Sequence, residues 1–190
     1  MRFSVNTLVG IDPTLSLEAL DFGRVLFLDF DGVLHPQSFS PHDQFCYLDN
    51  FCGVMRIVDP RHRVPIVISS TWRHHYSLQH MRELFPPDVA QQVVGVTPYL
   101  STENPTDIAD WTFLGEDPFK VRHRQREVLM WLHNHAPHAQ WLAIDDRPGY
   151  FEDDCQNLFT VPGLDGTTGG GLDPGVALDL MDCLRQFLGA

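Results

Sequence analysis

Two acidic residues, Asp29 and Asp31, stand at the end of a strongly apolar run in VLFLDFDGVLHP, residues 25–36. Burying a carboxylate costs several kcal/mol unless something compensates it, so acids at this place call for a function. Side chains two residues apart on a strand point to the same side. Asp29 and Asp31 can therefore face one site while Phe30 faces the core, and Gly32 allows the backbone to turn sharply beside a ligand.

Polar residues also end two further apolar runs, VPIVISS and QWLAIDD; they are Ser69, Ser70, Asp145 and Asp146. Carboxylates that cluster repel one another, and only a cation would hold them ionised together. Hard oxygen ligands point to Mg²⁺ as that cation. The predicted metal-binding residues are Asp29 and Asp31, with Asp145 or Asp146 as the third acid.

Five short apolar segments predict buried strands, and apolar residues at helical spacing predict four helices. The predicted strands are 24–30, 64–70, 92–96, 140–146 and 157–161. The predicted helices are 48–59, 72–85, one capped by Asp117 that runs to residue 135, and 176–188. Nearly all-apolar strands that alternate with helices indicate an α/β fold with a parallel sheet covered on both faces. The ligand site of such a sheet lies beyond the carboxyl ends of its strands, where the polar residues described above lie.

The composition narrows the class of protein. The chain has 190 residues, 43% of them hydrophobic, and a formal net charge of −12, which disfavours nonspecific binding to nucleic acid or anionic lipid. The first residues do not read as a secretory signal, and no run approaches the ~18 apolar residues of a membrane span. The four cysteines are scattered, as in a reducing compartment. We expect a cytoplasmic protein with no membrane partner.

The ten histidines do not predict a zinc site. No cysteine or acid completes the group His74, His75 and His80, or the group in 133–138, at zinc spacing, so both are expected on solvated helix faces. Only His35, just after the first acidic pair, is expected near the site.

The ordered motifs resemble those of the haloacid dehalogenase (HAD) superfamily of aspartate-nucleophile phosphotransferases. DFDGVL at 29–34 is similar to its first motif, VPIVISS to its second, an early helical Lys or Arg to its third, and WLAIDDR at 141–147 to its fourth. More narrowly, ISSTWR, REVLMWL, WLAIDDR and Gly171-Leu172 resemble HAD domains grouped with Swiss Army Knife RNA-repair proteins. The resemblance implies a Rossmann-like three-layer αβα sandwich with five parallel strands in the order 5-4-1-2-3.

The resemblance also implies roles for residues. Asp29 would attack phosphorus and form an aspartyl-phosphate, and Asp31 would act as general acid and then general base. The Asp29 carboxylate, the Asp31 backbone carbonyl and Asp145 or Asp146 would hold Mg²⁺. Ser69 would hydrogen-bond a phosphoryl oxygen, with Ser70 as the alternative. The third-motif cation would be Arg124 or, second, Lys120, with Arg122 and Arg126 behind them. The predicted substrate-binding residues are Ser70, Lys120 and Arg73, and Arg147 is a further candidate.

A single domain is expected over 1–190, with an N-terminal extension at 1–23 and a loop or small flap at 97–116. Only the 37 residues 32–68 separate Asp31 from Ser69, so no large cap domain fits between them. An open site suits a phosphate at the end of something large, such as a polynucleotide or a protein.

The sequence therefore predicts a Mg²⁺-dependent phosphomonoester hydrolase that acts through an aspartyl-phosphate on Asp29. Its phosphorylated substrate would be a small molecule, a nucleic-acid end or a protein. One alternative is a polynucleotide-end phosphatase, acting on a 3′- or 5′-phosphate in nucleic-acid repair. The other is a catalytically silent module that binds phosphate or a partner, and the presence of all four motifs speaks against it.

Overall fold

Five strands form one parallel sheet in the computed structural model, which describes residues 11, 20–37, 40–100, 122–162 and 170–189. The strands are β1 Arg24–Leu28, β2 Ile66–Ile68, β3 Val93–Val96, β4 Gln140–Asp145 and β5 Leu158–Thr160. Their order across the sheet is β3-β2-β1-β4-β5, and every neighbouring pair is parallel. The predicted α/β class and the strand order 5-4-1-2-3 are confirmed.

Helices cover both faces of the sheet. They are α1 Leu48–Val58, α2 Leu78–Arg82, α3 Pro87–Ala90, α4 His123–His135 and α5 Pro174–Leu188, with short 3₁₀ helices at Thr71–His74 and Pro148–Tyr150. One apolar cluster lies under α1 and α5, and a second lies under α4. The result is the expected three-layer αβα sandwich. None of the helices within the described ranges is long and apolar enough to cross a bilayer.

The predicted helix 72–85 is interrupted. A 3₁₀ helix ends at His74, and α2 starts after Ser77. The backbone of Ser77 is extended, and its hydroxyl accepts a hydrogen bond from the N–H of His80. A serine in this conformation begins a helix and does not continue one. Helix α4 begins at His123, after the extended Arg122. The predicted cap at Asp117 lies outside the described residues, as do most of 1–23 and residues 101–116 of the predicted flap.

The alternation of side chains along β1 decides which way Asp29 faces. Leu26, Leu28 and Phe30 pack in the cluster under α1 and α5, whereas Val25 and Phe27 pack in the cluster under α4. Asp29 continues the second series and so faces α4.

The central strands end side by side. Leu28 is paired with Ile68 of β2 and with Ile144 of β4, so the residues that follow these three positions meet at one edge of the sheet. The described part of 29–65 contains turns and α1 but no inserted domain. The carboxyl edge of the sheet is therefore where the site has to lie.

Candidate active site

Asp29 is held rigidly at the end of β1. The backbone N–H of Asp29 donates to the carbonyl of Ile144 (3.0 Å), and Asp29 Oδ1 accepts from the N–H of Phe30 (2.8 Å). The side chain is buried, and this burial raises the pKa of Asp29 even though the nearby Arg124 guanidinium opposes the shift. A buried carboxylate in a fixed orientation is what nucleophilic attack requires.

Asp145 and Asp146 end β4 beside it, and both are buried. Asp145 Oδ1 accepts a hydrogen bond from the N–H of Arg147 (2.8 Å). Oδ2 of Asp146 is buried without a hydrogen-bond partner among the described residues, and Nε of Arg147 lies 3.5 Å from it. Burial and the charge of Asp29 raise the pKa of Asp145 well above its ordinary value and that of Asp146 to about 6. Burial and mutual repulsion therefore oppose full ionisation of these carboxyl groups when no cation is bound.

These three acids form a candidate metal centre. One carboxylate oxygen from each of Asp29, Asp145 and Asp146 lies within 4.8 Å of the others. Gly32 has φ +73°, and a Cβ there would lie 2.4 Å from Asp146 Oδ2, so the close approach of the β1 turn to Asp146 requires glycine. An all-carboxylate donor set with an unpartnered oxygen fits a hard divalent cation such as Mg²⁺.

Arg124 brings the positive charge to this cluster. Its Nη1 lies 3.7 Å from Asp29 Oδ2 and 3.7 Å from Asp145 Oδ2, beyond hydrogen-bond distance. Within the described part of the chain, Nε and Nη1 of this buried guanidinium have no hydrogen-bond partner. Burial would lower the pKa of Arg124, but the charges of Asp29, Asp145 and Glu127 together outweigh it and raise the pKa. A buried cation with unused donors is suited to hold a phosphoryl oxygen.

Asp31 has a different environment from the buried acids. Its Oδ1 lies 3.1 Å from His35 Nε2 and accepts from Trp72 Nε1 (3.1 Å), and its Oδ2 accepts from the Thr71 hydroxyl (3.2 Å). Burial would raise the pKa of Asp31, but these hydrogen bonds outweigh it and hold the pKa below its usual value. The Asp31 carboxylate is thus occupied by protein donors, and its assignment as a metal ligand through the backbone carbonyl stays a prediction.

A cavity of about 200 Å³ opens at this edge of the sheet. The residues that line it are Asp29, Asp31, Gln37, Thr71, Arg124, Asp146, Arg147 and Tyr150. The guanidinium carbons of Arg124 and Arg147 lie 5.8 and 6.0 Å from the centre of the Tyr150 ring. Asp31 and Arg147 are partly exposed, whereas Asp29, Arg124 and Asp146 are buried. The cavity thus joins the acids, the cation and solvent.

Comparison with known proteins agrees with this geometry. The family model described as the HAD domain in Swiss Army Knife RNA repair proteins matches residues 25–164. The chain belongs to this family. Neither a curated protein nor a solved structure matches it. Membership in this HAD family supports a phosphatase-type hydrolase that acts on phosphorylated substrates, and the matched stretch contains every cavity residue named above.

The two serines at the end of β2 have different contacts in this HAD domain. The Ser70 side chain lies close enough to Asp29 to oppose the rise in the pKa of that carboxyl, and its hydroxyl caps the N–H of Trp72 (3.5 Å). The hydroxyl of Ser69 is 3.5 Å from that of Thr97. Ser70, ranked second from sequence, therefore has an electrostatic contact with Asp29, and which of the two serines binds a phosphoryl oxygen stays a prediction.

Arg73, predicted to bind substrate, reaches the site indirectly. Its Nη2 donates to Glu127 Oε2 (2.7 Å) and its Nη1 donates to the carbonyl of Ser70 (2.6 Å). Glu127 Oε2 is also 3.9 Å from Arg124 Nε, and Glu127 Oε1 accepts from the N–H of Leu100 (3.3 Å). Glu127 therefore contacts Arg124, the turn after β2 through Arg73, and the start of the loop after β3 through Leu100. Direct contact of Arg73 with substrate stays a prediction.

Glu127, Gln37 and Tyr150 were not predicted from the sequence. A signal for Glu127 was present, since Arg124 and Glu127 lie on the same helical face as the buried Val128 and Trp131. Charges on an otherwise apolar helix face indicate a buried polar site. Lys120, the second candidate for the third-motif cation, lies outside the described residues.

Proposed function

We propose that this HAD domain is a Mg²⁺-dependent phosphomonoester hydrolase that acts through an aspartyl-phosphate on Asp29. The observation that carries the proposal is the meeting of three buried carboxylates within 4.8 Å of one another, beside a guanidinium with unused donors. Asp29, Asp145 and Asp146 would hold the cation. When bound, it would neutralise charge on the phosphoryl group during transfer.

In the first step a carboxylate oxygen of Asp29 attacks phosphorus while the bond from phosphorus to the leaving oxygen breaks. Arg124 and one of the two serines that follow β2, Ser69 or Ser70, hold phosphoryl oxygens in line for this attack. Asp31 gives its proton to the leaving oxygen, so the product leaves as an alcohol. Its position on the partly exposed side of the cavity suits this contact.

In the second step a water molecule attacks the aspartyl-phosphate and releases orthophosphate. Asp31, ionised after the first step, takes the proton of that water, and the Asp29 carboxylate is regenerated. The hydrogen bonds that keep the pKa of Asp31 low favour the ionised form that this step needs and oppose the protonated form that the first step needs. General acid–base help of this kind is typically worth ~10²–10⁴-fold in rate.

A polynucleotide-end phosphatase is a second candidate. Two observations favour it: the family description names RNA repair proteins, and the segment between β1 and β2 carries no inserted domain in its described part. A cavity approached without such a domain admits the end of a long molecule. The net charge of −12 opposes binding of a long polyanion, although screening limits this beyond ~8 Å at physiological salt.

Replacing the nucleophile tests the catalytic proposal. We expect Asp29→Asn to lower turnover on the order of 10³-fold or more, because the amide is almost isosteric but not nucleophilic. The measurement is phosphate release with Mg²⁺ over a panel of phosphomonoesters, with trapping of phospho-Asp29 in the wild type. Asp88, a partly exposed acid that is ion-paired with Arg56 and lies outside the cavity, supplies the control Asp88→Asn, which should keep full activity.

Retention of more than a tenth of wild-type turnover by Asp29→Asn would contradict the covalent mechanism. A wild type that binds phosphate but hydrolyses no member of the panel would favour the silent phosphate-binding module. The panel includes phosphorylated oligonucleotides and free nucleotides. Cleavage of a 3′- or 5′-phosphorylated oligonucleotide well above that of the nucleotide would favour the polynucleotide-end reaction.

A further inference from the structure

Both ring nitrogens of His35 make hydrogen bonds, one of them with Asp31, the proposed acid/base residue. It is fully buried, and its Nε2 is 3.1 Å from Asp31 Oδ1. The backbone N–H of Phe45 donates to its Nδ1 (3.3 Å). The rings of Phe45 and Trp72 lie 5.1 and 6.1 Å from the imidazole and confine it.

The contact with Phe45 determines the tautomer of the ring. A backbone N–H can only donate, so Nδ1 must be the accepting nitrogen and the proton of the imidazole must sit on Nε2. His35 therefore donates to Asp31. Phe45 presents its N–H from a left-handed backbone conformation (φ 58°), which is uncommon outside glycine.

The two oxygens of Asp31 are consequently unequal. Oδ1 receives two N–H donors, from His35 and from Trp72, both fixed by packing. Among the described residues, Oδ2 is hydrogen-bonded to the hydroxyl of Thr71, which lines the cavity. A hydroxyl can donate or accept, so this partner can adapt to either protonation state of Oδ2.

We propose that His35 is a positioning residue: together with Trp72 it fixes the rotation of the Asp31 carboxylate, so that Oδ2 is the oxygen that meets the leaving group. This inference rests on the proposed role of Asp31 as general acid and base. It gives a function to the histidine that follows the first motif in DFDGVLH, residues 29–35.

Two substitutions at one position separate the two hydrogen bonds of the ring. In His35→Gln the amide nitrogen can reach the place of Nε2 and still donate to Asp31. In His35→Asn the shorter amide can replace Nδ1 toward Phe45 but cannot reach Asp31. Trp72→Phe removes the other N–H donor to the same oxygen and keeps most of the ring packing.

The measurements are kcat and KM of the full chain with Mg²⁺ on an alkyl phosphate and on p-nitrophenyl phosphate. An alkoxide leaving group needs a proton, whereas nitrophenolate hardly does. A misplaced catalytic group costs up to ~10²-fold, so His35→Asn should lower kcat about 10- to 100-fold on the alkyl ester. The loss on the aryl ester should be several-fold smaller, with KM little changed. His35→Gln should recover most of the loss, and Trp72→Phe should show the same selectivity as His35→Asn.

Equal losses on the two esters, or folded Gln and Asn variants with the same activity, would overturn the role of His35. Asp31→Asn separates this from failure of the proposed function. Selectivity in Asp31→Asn without selectivity in His35→Asn would overturn the positioning role alone. No selectivity in Asp31→Asn would overturn the acid/base role and, with it, the catalytic part of the inference.

A measurement without turnover tests the hydrogen bonds even where a variant does not fold. Nitrogen-15 NMR of the wild-type imidazole should show a protonated Nε2 and an unprotonated Nδ1. Asp31→Asn should shift the Nε2 resonance. The opposite tautomer would overturn the inference.

Discussion

A buried aspartate lies near each end of the sheet, and the two differ in their hydrogen-bond partners. Near the amino end, Oδ2 of Asp59 accepts from the N–H groups of Arg63 (2.7 Å) and Val64 (2.8 Å) and from Gln92 Nε2 (2.8 Å). At the carboxyl end, Oδ2 of Asp146 is more deeply buried and has no hydrogen-bond partner in the described part of the chain. A buried aspartate oxygen thus accepts three hydrogen bonds at one end of the sheet, whereas at the other end a buried aspartate oxygen accepts none from the described residues.

Under the proposed function, the difference separates an acid that stabilises the fold from an acid that would bind the metal. Asp59 closes the turn that leads into β2, and its three donors compensate its burial. Asp146 has a neighbouring acid and a raised pKa instead, which is a cost to the folded chain unless a cation is bound. Buried and unsatisfied polar atoms, rather than buried acids as such, therefore mark the functional end of this sheet.

The largest expected effect is on activity when the metal is removed. Chelation of Mg²⁺ should lower phosphatase activity on the order of 10²-fold or more, because the charge on the transferring group is then left uncompensated. Ca²⁺ should not restore it, since this larger ion takes more oxygens and often both from one carboxylate. Phosphate release is measured in metal-free buffer after addition of each ion.

Single substitutions test whether Asp146 contributes to the Mg²⁺ requirement. Asp146→Asn should raise the Mg²⁺ concentration for half-maximal activity about tenfold, in line with the loss typical of altered metal-site residues. The control Asp88→Asn should leave this Mg²⁺ concentration unchanged. Equal activity with Ca²⁺, or an unchanged Mg²⁺ requirement in Asp146→Asn, would show that the unsatisfied acid is not kept for the metal.

A second, smaller effect concerns stability without metal. Asp59→Asn should lower the free energy of unfolding by about 2 kcal/mol, because hydrogen bonds to a charged acceptor are replaced by weaker ones. Asp146→Asn should raise it at pH 7.5, because it removes a buried charge that has no hydrogen-bond partner among the described residues to offset its burial. Urea unfolding in chelator measures both. Shifts of the same sign at the two positions would contradict the distinction drawn between the two ends.

The smallest effect is the pH dependence of stabilisation by Mg²⁺. The pKa of Asp146 is about 6 in the folded protein and lower in the unfolded chain, so the folded state holds the extra proton between about pH 4 and 6. Stability without metal therefore falls as the pH rises through this window. Mg²⁺ must displace that proton, so its affinity should weaken up to ~10-fold for each pH unit below 6.

Thermal unfolding with and without Mg²⁺ at pH 5.0 and 7.5 measures this dependence. We expect the larger increase in Tm at pH 7.5 and a weaker pH dependence in Asp146→Asn. An increase that is larger at pH 5.0 would reverse the sign and rule out the raised pKa as its cause.

Much of the fold and of the candidate site could be predicted from the sequence because the signals are local. The apolar runs predicted the five strands, and the parallel sheet then required Asp29, Asp145 and Asp146 to meet at one edge. The helix 72–85 was predicted wrongly in part, because apolar spacing continues through Ser77 although its hydroxyl caps a new helix. Periodicity reports which face is buried, and a cap changes the backbone without changing that pattern.

The sequence by itself determined the strands, the order of the motifs and the identity of the acids, because each depends on residues a few positions apart. The tertiary structure alone decided that Ser70 contacts Asp29 and that Arg73 is paired with Glu127. It also decided that Nε and Nη1 of Arg124 have no hydrogen-bond partner among the described residues. Arg73 and Glu127 are 54 residues apart, and the direction of a side chain past a strand end depends on the turn that follows. Such contacts exist only once the sheet has brought the turns and α4 together. They distinguish Arg124, the proposed phosphate-binding cation, from Arg73, which is bound to Glu127 and to the turn after β2.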